Sequence, residues 1–275
     1  MSFRGLFEPH MNQLRMTRRS LMVSAVAAAL PSTQAIASER RYRMKLIAGE
    51  PLGDDLRAGI DIELDPGWKT YWRMPGEAGV PPQFDWSASQ NVSAVELLWP
   101  APSRFIDAGG ETVGYKGRVV FPLRVTPLRA AKAVQLGLSM FFGVCKEICI
   151  PVNARAELAS WQADPVAEAL LRSFEQRVPA QADRSSSLYI EHATANLVGG
   201  KLELTLTFAT TLPADLEVFV ESKYAGYFPA GRSSGSRTYS IPVAGPPDLQ
   251  RLKGSMLKLT MVGGRLALEQ EVTVD

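Results

Sequence analysis

The chain contains two cysteines, Cys145 and Cys149, with only three residues between them. Thiols at this spacing can form a disulfide if the segment turns, but not if it stays extended. A bridge that closes so small a ring stabilises a protein by only roughly 2 kcal/mol, against about 4.7 kcal/mol for a loop of a hundred residues. The pair would therefore be a poor structural staple for 275 residues. We predict that Cys145 and Cys149 form a pair that opens and closes.

Two other interpretations of the pair stay open. The cysteines can form an inert local disulfide, or two thiolates can join Met140 or Met74 in a soft ligand set of the kind that suits copper(I). The charges between the cysteines do not decide among these readings. Lys146 favours a thiolate and Glu147 opposes it, so both are candidate modulators of the thiol pKa, in a direction that the sequence leaves undetermined.

The first residues read as an export signal. Arg18 and Arg19 precede an apolar run at 23–30, and a small-x-small motif follows at 35–37. We therefore expect residues 1–37 to be cleaved, leaving Ser38 as the mature N-terminus. The run is far shorter than the ~20 residues that span a bilayer, which disfavours an uncleaved anchor, and the arginine pair leaves both the twin-arginine and the general secretory routes open. Export to the periplasm would place the cysteines in an oxidising compartment.

The composition argues against several classes of function. The chain has two histidines, His10 within the predicted signal and His192 in an alternating segment typical of a solvent-facing strand, whereas zinc sites and hydrolase nucleophiles usually need histidine. The glycine pairs at 109–110 and 263–264 lack the spacing of phosphate-binding loops. No basic run with interleaved aromatics suggests nucleic acid as a partner. We therefore expect no cofactor and no resident metal.

Short strands must position the cysteines. Ile60, Ile62 and Leu64 alternate with acidic residues, and apolar and polar residues alternate through 201–208, as half-buried strands require. Further strands are predicted at 42–48, 92–99, 118–126, 134–142, 150–158, 217–221, 257–262 and 266–274. Between the last two lies a two-residue hairpin signal, Val262-Gly263-Gly264-Arg265. Segment 143–149 is predicted to be a bent connection at one edge or end of a sheet.

One helix interrupts the strands. Asp164 is a candidate cap and Pro165 suits a first turn. The residues that recur at helical spacing before Pro179 are Val166, Ala169, Leu170, Ser173 and Phe174. We predict an all-β protein of two immunoglobulin-like β-sandwich domains, at 38–162 with the cysteines and at 186–275, joined by a short helix and linker at 163–185.

A cluster of aromatic residues forms a second candidate feature. Trp68, Tyr71 and Trp72 lie within five residues, bounded by Pro-Gly at both ends. Alternation places Trp68, Thr70 and Trp72 on one strand face and Lys69 and Tyr71 on the other. The segment is either a strand with a buried tryptophan stripe or a lid in which Tyr71 or Trp72 covers the disulfide. A regular strand allows only one of those two to face the site.

Four segments resemble, in the same order, motifs of the N-terminal periplasmic domain of the thiol–disulfide interchange protein DsbD, particularly its ScsB-like branch. They are GWKTYWRMPGEAG at 67–79, WPAPSRF at 99–105, GYKG at 114–117 and CKEICIP at 145–151. The resemblance covers about residues 42–160. It implies an immunoglobulin-like sandwich whose cysteine pair receives electrons from a membrane-embedded donor of the DsbD/ScsB type. The electrons would then pass to periplasmic thioredoxin-like or disulfide-containing clients.

The resemblance also implies a link with copper tolerance and favours Cys149 as the attacking sulfur. The second sandwich is similar to the extra β-domain of the ScsB-like branch. Two departures matter: DsbD domains separate their cysteines by more residues, and this sequence shows no membrane-spanning channel and no thioredoxin-like domain. We therefore expect a thiol–disulfide oxidoreductase that acts as an electron carrier and is reduced by a separate membrane protein. The alternative is a non-catalytic assembly or copper-handling module with a structural disulfide.

Overall fold

A computed structural model describes residues 41–77, 79–107, 110–223, 227–245 and 248–275. The predicted export signal at 1–37 and the predicted N-terminus at Ser38 lie outside these residues.

The described residues before 162 form ten strands. In chain order they are β1 (Tyr42–Ala48), β2 (Leu56–Leu64), β3 (Lys69–Gly76), β4 (Gln83–Asp85), β5 (Val92–Leu97), β6 (Ser103–Asp107), β7 (Gly110–Lys116), β8 (Arg118–Pro127), β9 (Leu136–Cys145) and β10 (Cys149–Leu158). Sheet 1 has the order β1-β2-β8-β5, and sheet 2 has the order β10-β9-β3-β7-β6. β4 pairs with β9 beyond the two β3 residues that pair with it, so both strands lie along the same edge of β9.

The described residues after 162 form two helices and eight further strands. They are α1 (Pro165–Glu175), β11 (Ala180–Gln181), β12 (Ile190–Val198), β13 (Lys201–Phe208), β14 (Glu217–Glu221), β15 (Arg232–Ser233), β16 (Thr238–Pro242), α2 (Leu249–Leu252), β17 (Met256–Gly263) and β18 (Leu266–Thr273). Sheet 3 has the order β12-β13-β16-β15. Sheet 4 has the order β11-β18-β17-β14, with β11 parallel to β18.

Sheets 1 and 2 face each other across a core of aliphatic and aromatic side chains. Edge-to-face ring contacts join the two sheets: Tyr42 of β1 lies 5.2 Å from Phe142 of β9, and Phe121 of β8 lies 5.4 Å from Tyr115 of β7. Such contacts add about 0.5–1.5 kcal/mol each beyond the area that they bury. A second core lies between sheets 3 and 4. The protein is therefore an all-β molecule of the immunoglobulin-like class, as predicted.

The helix α1 belongs to the first core. Its cap is Asp164, whose carboxylate accepts hydrogen bonds from the N–H groups of residues 166 and 167, as predicted. Phe174 is buried, in agreement with the predicted stripe, but Leu171 is buried outside that stripe and Val166 within it is exposed. Leu171 lies against sheet 1, where Gly59 leaves room for it. The helix thus covers part of the outer face of that sheet.

Three strand predictions were accurate, because β1, β13 and β14 have the predicted bounds. The predicted hairpin signal at 262–265 contains the two-residue turn Gly264-Arg265 that joins β17 to β18. β2 differs, because the side chain of Asp61 is buried although alternation predicted it to be exposed. Arg118 explains the difference, since its guanidinium pairs with that carboxylate at 2.7 Å and covers it. His192 lies on β12 and is exposed, as predicted.

The two parts of the chain are in contact at several points. Phe219 of β14 is buried in the first core, against Trp72 of β3. β11, near the end of the predicted linker, joins sheet 4. The division into domains at 38–162 and 186–275 with a linker at 163–185 stays a prediction.

Candidate redox site

The two cysteines occupy facing ends of one hairpin. β9 ends at Cys145, β10 begins at Cys149, and the two are direct register partners with Cα atoms 4.2 Å apart. Their sulfurs form a disulfide. The predicted connection at 143–149 was too long, because Gly143 continues β9 and pairs with Pro151. Only residues 146–148 form the tip of the hairpin, so the turn that brings the sulfurs within reach is a tight reversal between strands.

The two sulfurs differ in exposure. The side chain of Cys145 is 1% exposed, whereas that of Cys149 is exposed to solvent. Cys145 lies on the inner strand of the pair, flanked by β3 and β10, and Cys149 lies on the terminal strand of sheet 2. An incoming thiol can therefore approach the sulfur of Cys149 and not that of Cys145.

Tyr71 of β3 covers the bridge. Its hydroxyl lies 2.7 Å from Cys145 Sγ and 2.8 Å from Cys149 Sγ. The sulfurs of a disulfide carry no proton, so the phenol is the donor. The side chain of Tyr71 is 2% exposed. A phenol held at this position can also donate to a thiolate formed when the bridge opens.

The local packing explains how Tyr71 reaches the sulfurs. Its ring occupies the space above Gly143, where an added Cβ would meet Tyr71 Cε2 at 2.9 Å. Thr70 Oγ1 donates to the carbonyl of Gly143 at 2.9 Å and ties β3 to β9 at this level. On the other side of β3, Gly114 of β7 allows the backbones to approach, because a Cβ there would lie 2.0 Å from the carbonyl oxygen of Thr70. Gly143 thus makes the space that the Tyr71 ring requires, and Gly114 lets β3 and β7 approach each other closely.

Trp72 lies on the opposite face of β3. Its indole is 1% exposed in the first core and contacts the ring of Phe219 at 5.7 Å. Thr70, on the same face, is buried, and Trp68 is half-buried with Arg41 stacked on its ring at 5.0 Å. The structure therefore brings Tyr71 and not Trp72 to the sulfurs. Trp72 fits the buried tryptophan stripe, which was the other interpretation of the segment.

Some of the charged side chains near the cysteine pair are exposed, and one is buried. Lys146 and Glu147 are exposed at the hairpin tip, and the aliphatic part of Lys146 lies over Gly67. Lys69 is the β3 register partner of Cys145 and is 4% exposed, with its ammonium donating to Thr112 Oγ1 at 2.7 Å. The sequence reasoning did not assign a function to Lys69. Strand alternation had placed Lys69 on the same face as Tyr71, and this was the sequence signal that could have assigned it to the site.

The structure does not assemble the thiolate–methionine set considered for copper(I). Met140 is 2% exposed in the first core, an odd number of residues from Cys145 and so on the opposite face of β9. Met74 lies five residues along β3 from the register partner of Cys145, in a cavity lined by Trp72 and Phe219. Within the described residues, no group of three or more His, Cys, Asp or Glu side chains is arranged to hold a metal ion.

β3 continues from the redox site to an ion-pair cluster at the second sandwich. The guanidinium of Arg73 donates to Glu221 at 2.6 Å and to Glu269 at 2.5 Å, and Lys258 donates to Glu269 at 2.8 Å. Burial raises the pKa of Glu269, but the hydrogen bonds from Lys258 and Arg73 outweigh this effect and hold the pKa below its usual value. The Glu269 carboxylate therefore stays ionised, and the strand that carries Tyr71 is anchored at its other end.

Comparison with known proteins identifies the part of the chain that carries this site. Residues 33–160 match the family described as thiol:disulfide interchange protein DsbD, N-terminal. This segment belongs to that family. The DsbD N-terminal match includes both cysteines, β3 and the hairpin β9–β10.

Among solved structures, the chain is similar to the N-terminal periplasmic domain of ScsB from Proteus mirabilis. The TM-score is 0.69 at 23% identity, and the match covers 87% of this chain and 95% of that one. The similarity extends well beyond the DsbD N-terminal segment and shows that the fold is shared. The search of curated proteins found no match. In the part of the chain that the structure describes, neither helix is long and apolar enough to cross a membrane.

Proposed function

We propose that this chain is a periplasmic thiol–disulfide interchange domain that carries electrons on Cys145 and Cys149. One observation carries the proposal: the disulfide joins an exposed cysteine to a buried one, and the Tyr71 hydroxyl lies against both sulfurs. The membership of residues 33–160 in the DsbD N-terminal family supports the same function. In this reading the chain is an electron carrier of the oxidoreductase class, and its chemistry needs no cofactor.

Reduction of the disulfide by the donor begins at Cys149. A thiolate of the reduced donor attacks Cys149 Sγ, a donor–Cys149 bond forms, and the bond to Cys145 breaks with Cys145 leaving as a thiolate. A second thiol of the donor then attacks the donor sulfur of this mixed disulfide and releases Cys149. The donor becomes a disulfide, and this chain becomes a dithiol that holds two electrons and two protons.

In the transfer of electrons to a client, the reduced pair becomes the attacking partner. The Cys149 thiolate attacks a client disulfide, and one client sulfur leaves as a thiolate that takes up a proton. Cys145, deprotonated, then attacks Cys149 Sγ and expels the second client sulfur. The client is reduced by two electrons, and the Cys145–Cys149 disulfide is restored. Cys149 is thus the attacking residue and Cys145 the resolving residue.

Tyr71 is proposed to act in two ways. Its hydroxyl stabilises whichever sulfur is a thiolate, because a hydrogen bond to the charged form lowers a thiol pKa. Its ring covers Cys145 and leaves only Cys149 open to attack. Trp72 supports the strand from the core side. Lys146 and Glu147, exposed beside the sulfurs, stay candidate modulators of the thiol pKa.

The partners follow from the family. A membrane-embedded donor of the DsbD/ScsB type would reduce the pair, and periplasmic thioredoxin-like or disulfide-containing proteins would accept the electrons. Export through the signal at residues 1–37 would place the chain in the periplasm. Mass spectrometry of the protein from the cell envelope should then find an N-terminus near Ser38. Recovery of intact protein only from the cytosol would contradict export.

The test of the proposed function is a trapping experiment with two single variants. C145S leaves Cys149 without its resolving partner, so we expect it to accumulate a mixed disulfide with client proteins in non-reducing gels. C149S should trap none, since its remaining thiol is buried. Equal trapping by both variants, or by neither, would contradict the assignment of roles.

The reduction potential of the wild-type pair separates the two classes of function. Structural bridges in secreted proteins typically have potentials below about −300 mV, and exchanging bridges lie above that value. We expect the Cys145–Cys149 pair to lie above it. A lower value would instead support the assembly or copper-handling module with a structural disulfide.

A further inference from the structure

The outer face of sheet 2 carries an exposed stripe that starts at the reactive sulfur. Along β10, alternate side chains from Cys149 through Pro151 and Asn153 to Arg155 are all exposed. At ~3.4 Å per residue the stripe extends roughly 20 Å from the disulfide. Ile148, which is 67% exposed, places a large apolar side chain directly beside Cys149. An exposed surface with both apolar and polar groups thus lies next to the sulfur that a partner must reach.

The stripe borders an open trough of about 560 Å³ between β4, β9 and β10. Phe141 lines the trough and is half-buried, with Asn153 as its partner on β10 and Gln83 as its partner on β4. Phe141 precedes Cys145 by four residues on the same face of β9, which corresponds to ~13 Å. An aromatic side chain therefore lies at a fixed distance from the disulfide, between two side-chain amides.

We infer that this trough and stripe bind the polypeptide on one side of the partner's reactive cysteine in an extended conformation. The inference rests on the proposed function, because the mixed disulfide at Cys149 is what tethers the partner to this face. Four residues of extended chain span ~13 Å, the separation between the disulfide and Phe141. An apolar side chain four residues from the partner's cysteine would then pack on Phe141, and the amides of Asn153 and Gln83 would bond to its backbone.

This inference predicts a difference between polypeptide and small-molecule substrates. A small disulfide reaches Cys149 without touching Phe141, so the trough should not affect its rate. The tethered peptide gains the burial of one apolar side chain, which corresponds to roughly 10-fold or more in affinity. The partner is thus selected by the residues around its cysteine.

The test uses short glycine-serine peptides with one cysteine, blocked as a mixed disulfide with nitrothiobenzoate, whose release is measured by absorbance. Leucine is placed four residues before the cysteine, four residues after it, or left out. With the reduced wild-type chain we expect one leucine peptide to react about 10-fold faster than the leucine-free peptide at subsaturating concentration. F141A should lose this preference, whereas its rate with blocked N-acetylcysteine should stay at the wild-type value.

Controls separate docking from folding and from the redox chemistry. N153K, which obstructs the trough from an exposed position, should also lose the preference, and its near-ultraviolet circular dichroism should match the wild type. I106A removes an exposed apolar side chain from β6, at the opposite edge of sheet 2, and should keep the preference.

Each alternative outcome has its own meaning. Equal rates for all peptides with the wild-type chain would overturn the docking inference while leaving the proposed function intact. Failure to release nitrothiobenzoate from blocked N-acetylcysteine would overturn the proposed function itself. Sedimentation that shows a dimer in the wild type and a monomer in N153K would assign the face to a second copy of this chain and would also overturn the inference.

Discussion

The chain contains two long antiparallel hairpins that close in different ways. In the first, β9 and β10 end at Cys145 and Cys149, which are bridged across a three-residue tip. In the second, β17 and β18 meet at Gly263 and Leu266 around the two-residue turn Gly264-Arg265. Both hairpins contribute buried strands to a sandwich core. The second shows that a hairpin of this kind closes in this protein without a covalent bond.

The difference lies in how the turn is stabilised. Gly264 has a φ of +62°, a conformation that glycine adopts without cost, and its N–H donates to the carboxylate of Asp215 at 3.0 Å. The tip between the cysteines has no such glycine, and the bridge closes the strands instead. The expected contribution of so small a ring, roughly 2 kcal/mol, is similar in size to the about 1–2 kcal/mol of backbone strain that glycine avoids in a left-handed turn position. The bridge is therefore replaceable as a structural element, and its chemistry distinguishes the first hairpin.

The largest expected effect comes from removing both sulfurs. In C145S/C149S we expect thiol transfer to a disulfide substrate to be lost completely, while the free energy of unfolding falls by no more than roughly 2 kcal/mol. Urea denaturation followed by tryptophan fluorescence measures the second quantity. Loss of cooperative unfolding in the double variant would break the comparison, because the bridge would then be a structural requirement of its hairpin.

The next largest effect is expected from displacing the Tyr71 ring from the disulfide. In G143A the new methyl group would lie 2.9 Å from Tyr71 Cε2, so the ring must move away from the sulfurs. We expect dithiothreitol to reduce the disulfide several-fold faster in this variant. G137A is a control on the same strand, since its methyl group would meet Ala88 instead of Tyr71. An unchanged rate in G143A would mean that Tyr71 does not limit access.

A smaller effect is expected from the phenol hydroxyl alone. Y71F keeps the ring and removes the donor that lies 2.7 Å from Cys145 Sγ. A hydrogen bond to a thiolate lowers the thiol pKa, so its loss should raise the pKa of the reduced pair. The pH profile of alkylation by iodoacetamide should then shift to higher pH. Y115F is a matched control, because that hydroxyl donates to the carbonyl of Pro100 in the core, and a shift in both variants would contradict a specific effect of Tyr71.

The smallest effect concerns the second hairpin. A residue with a side chain costs about 1–2 kcal/mol in the left-handed conformation of Gly264. Nothing lies near an added Cβ at this position, so G264V isolates the backbone strain. We expect the free energy of unfolding to fall by that amount while thiol exchange keeps its wild-type rate. G264N, which tolerates the conformation better, should lose less stability, and a change in exchange rate with G264V would show that the two hairpins are coupled.

Several parts of the fold follow from local patterns in the sequence. Period-two alternation predicted β13 to the residue, because one face of that strand is fully buried and the other is mostly half-buried. The cap at Asp164 and a hairpin turn within 262–265 were also predicted, since both depend on the chemistry of a few adjacent residues. The C-terminal end of β9 was not predicted, because Gly143 was interpreted as part of a bend. In the structure it is a strand residue whose missing side chain makes room for the ring of Tyr71, which comes from 72 residues earlier in the chain.

The contacts between distant segments could not be predicted. Arg73 pairs with Glu221 and Glu269 across 148 and 196 residues, and no local pattern relates these positions. Lys69 was placed on the correct strand face, but its burial beside Cys145 depends on the register between β3 and β9. Register between strands that are distant in sequence is decided by the packing of whole sheets.

The sequence by itself determined that the two sulfurs can meet only across a tight turn, because three intervening residues allow no other closure. It also determined that Tyr71 and Trp72 lie on opposite faces of one strand, since side chains alternate along an extended backbone. Only the tertiary structure decided which of the two faces the bridge and which sulfur is exposed. Those outcomes depend on which side of β3 packs against sheet 1 and on Cys149 lying on the terminal strand of sheet 2. The physical reason is that burial is a property of the assembled sheets, whereas alternation is a property of a single strand.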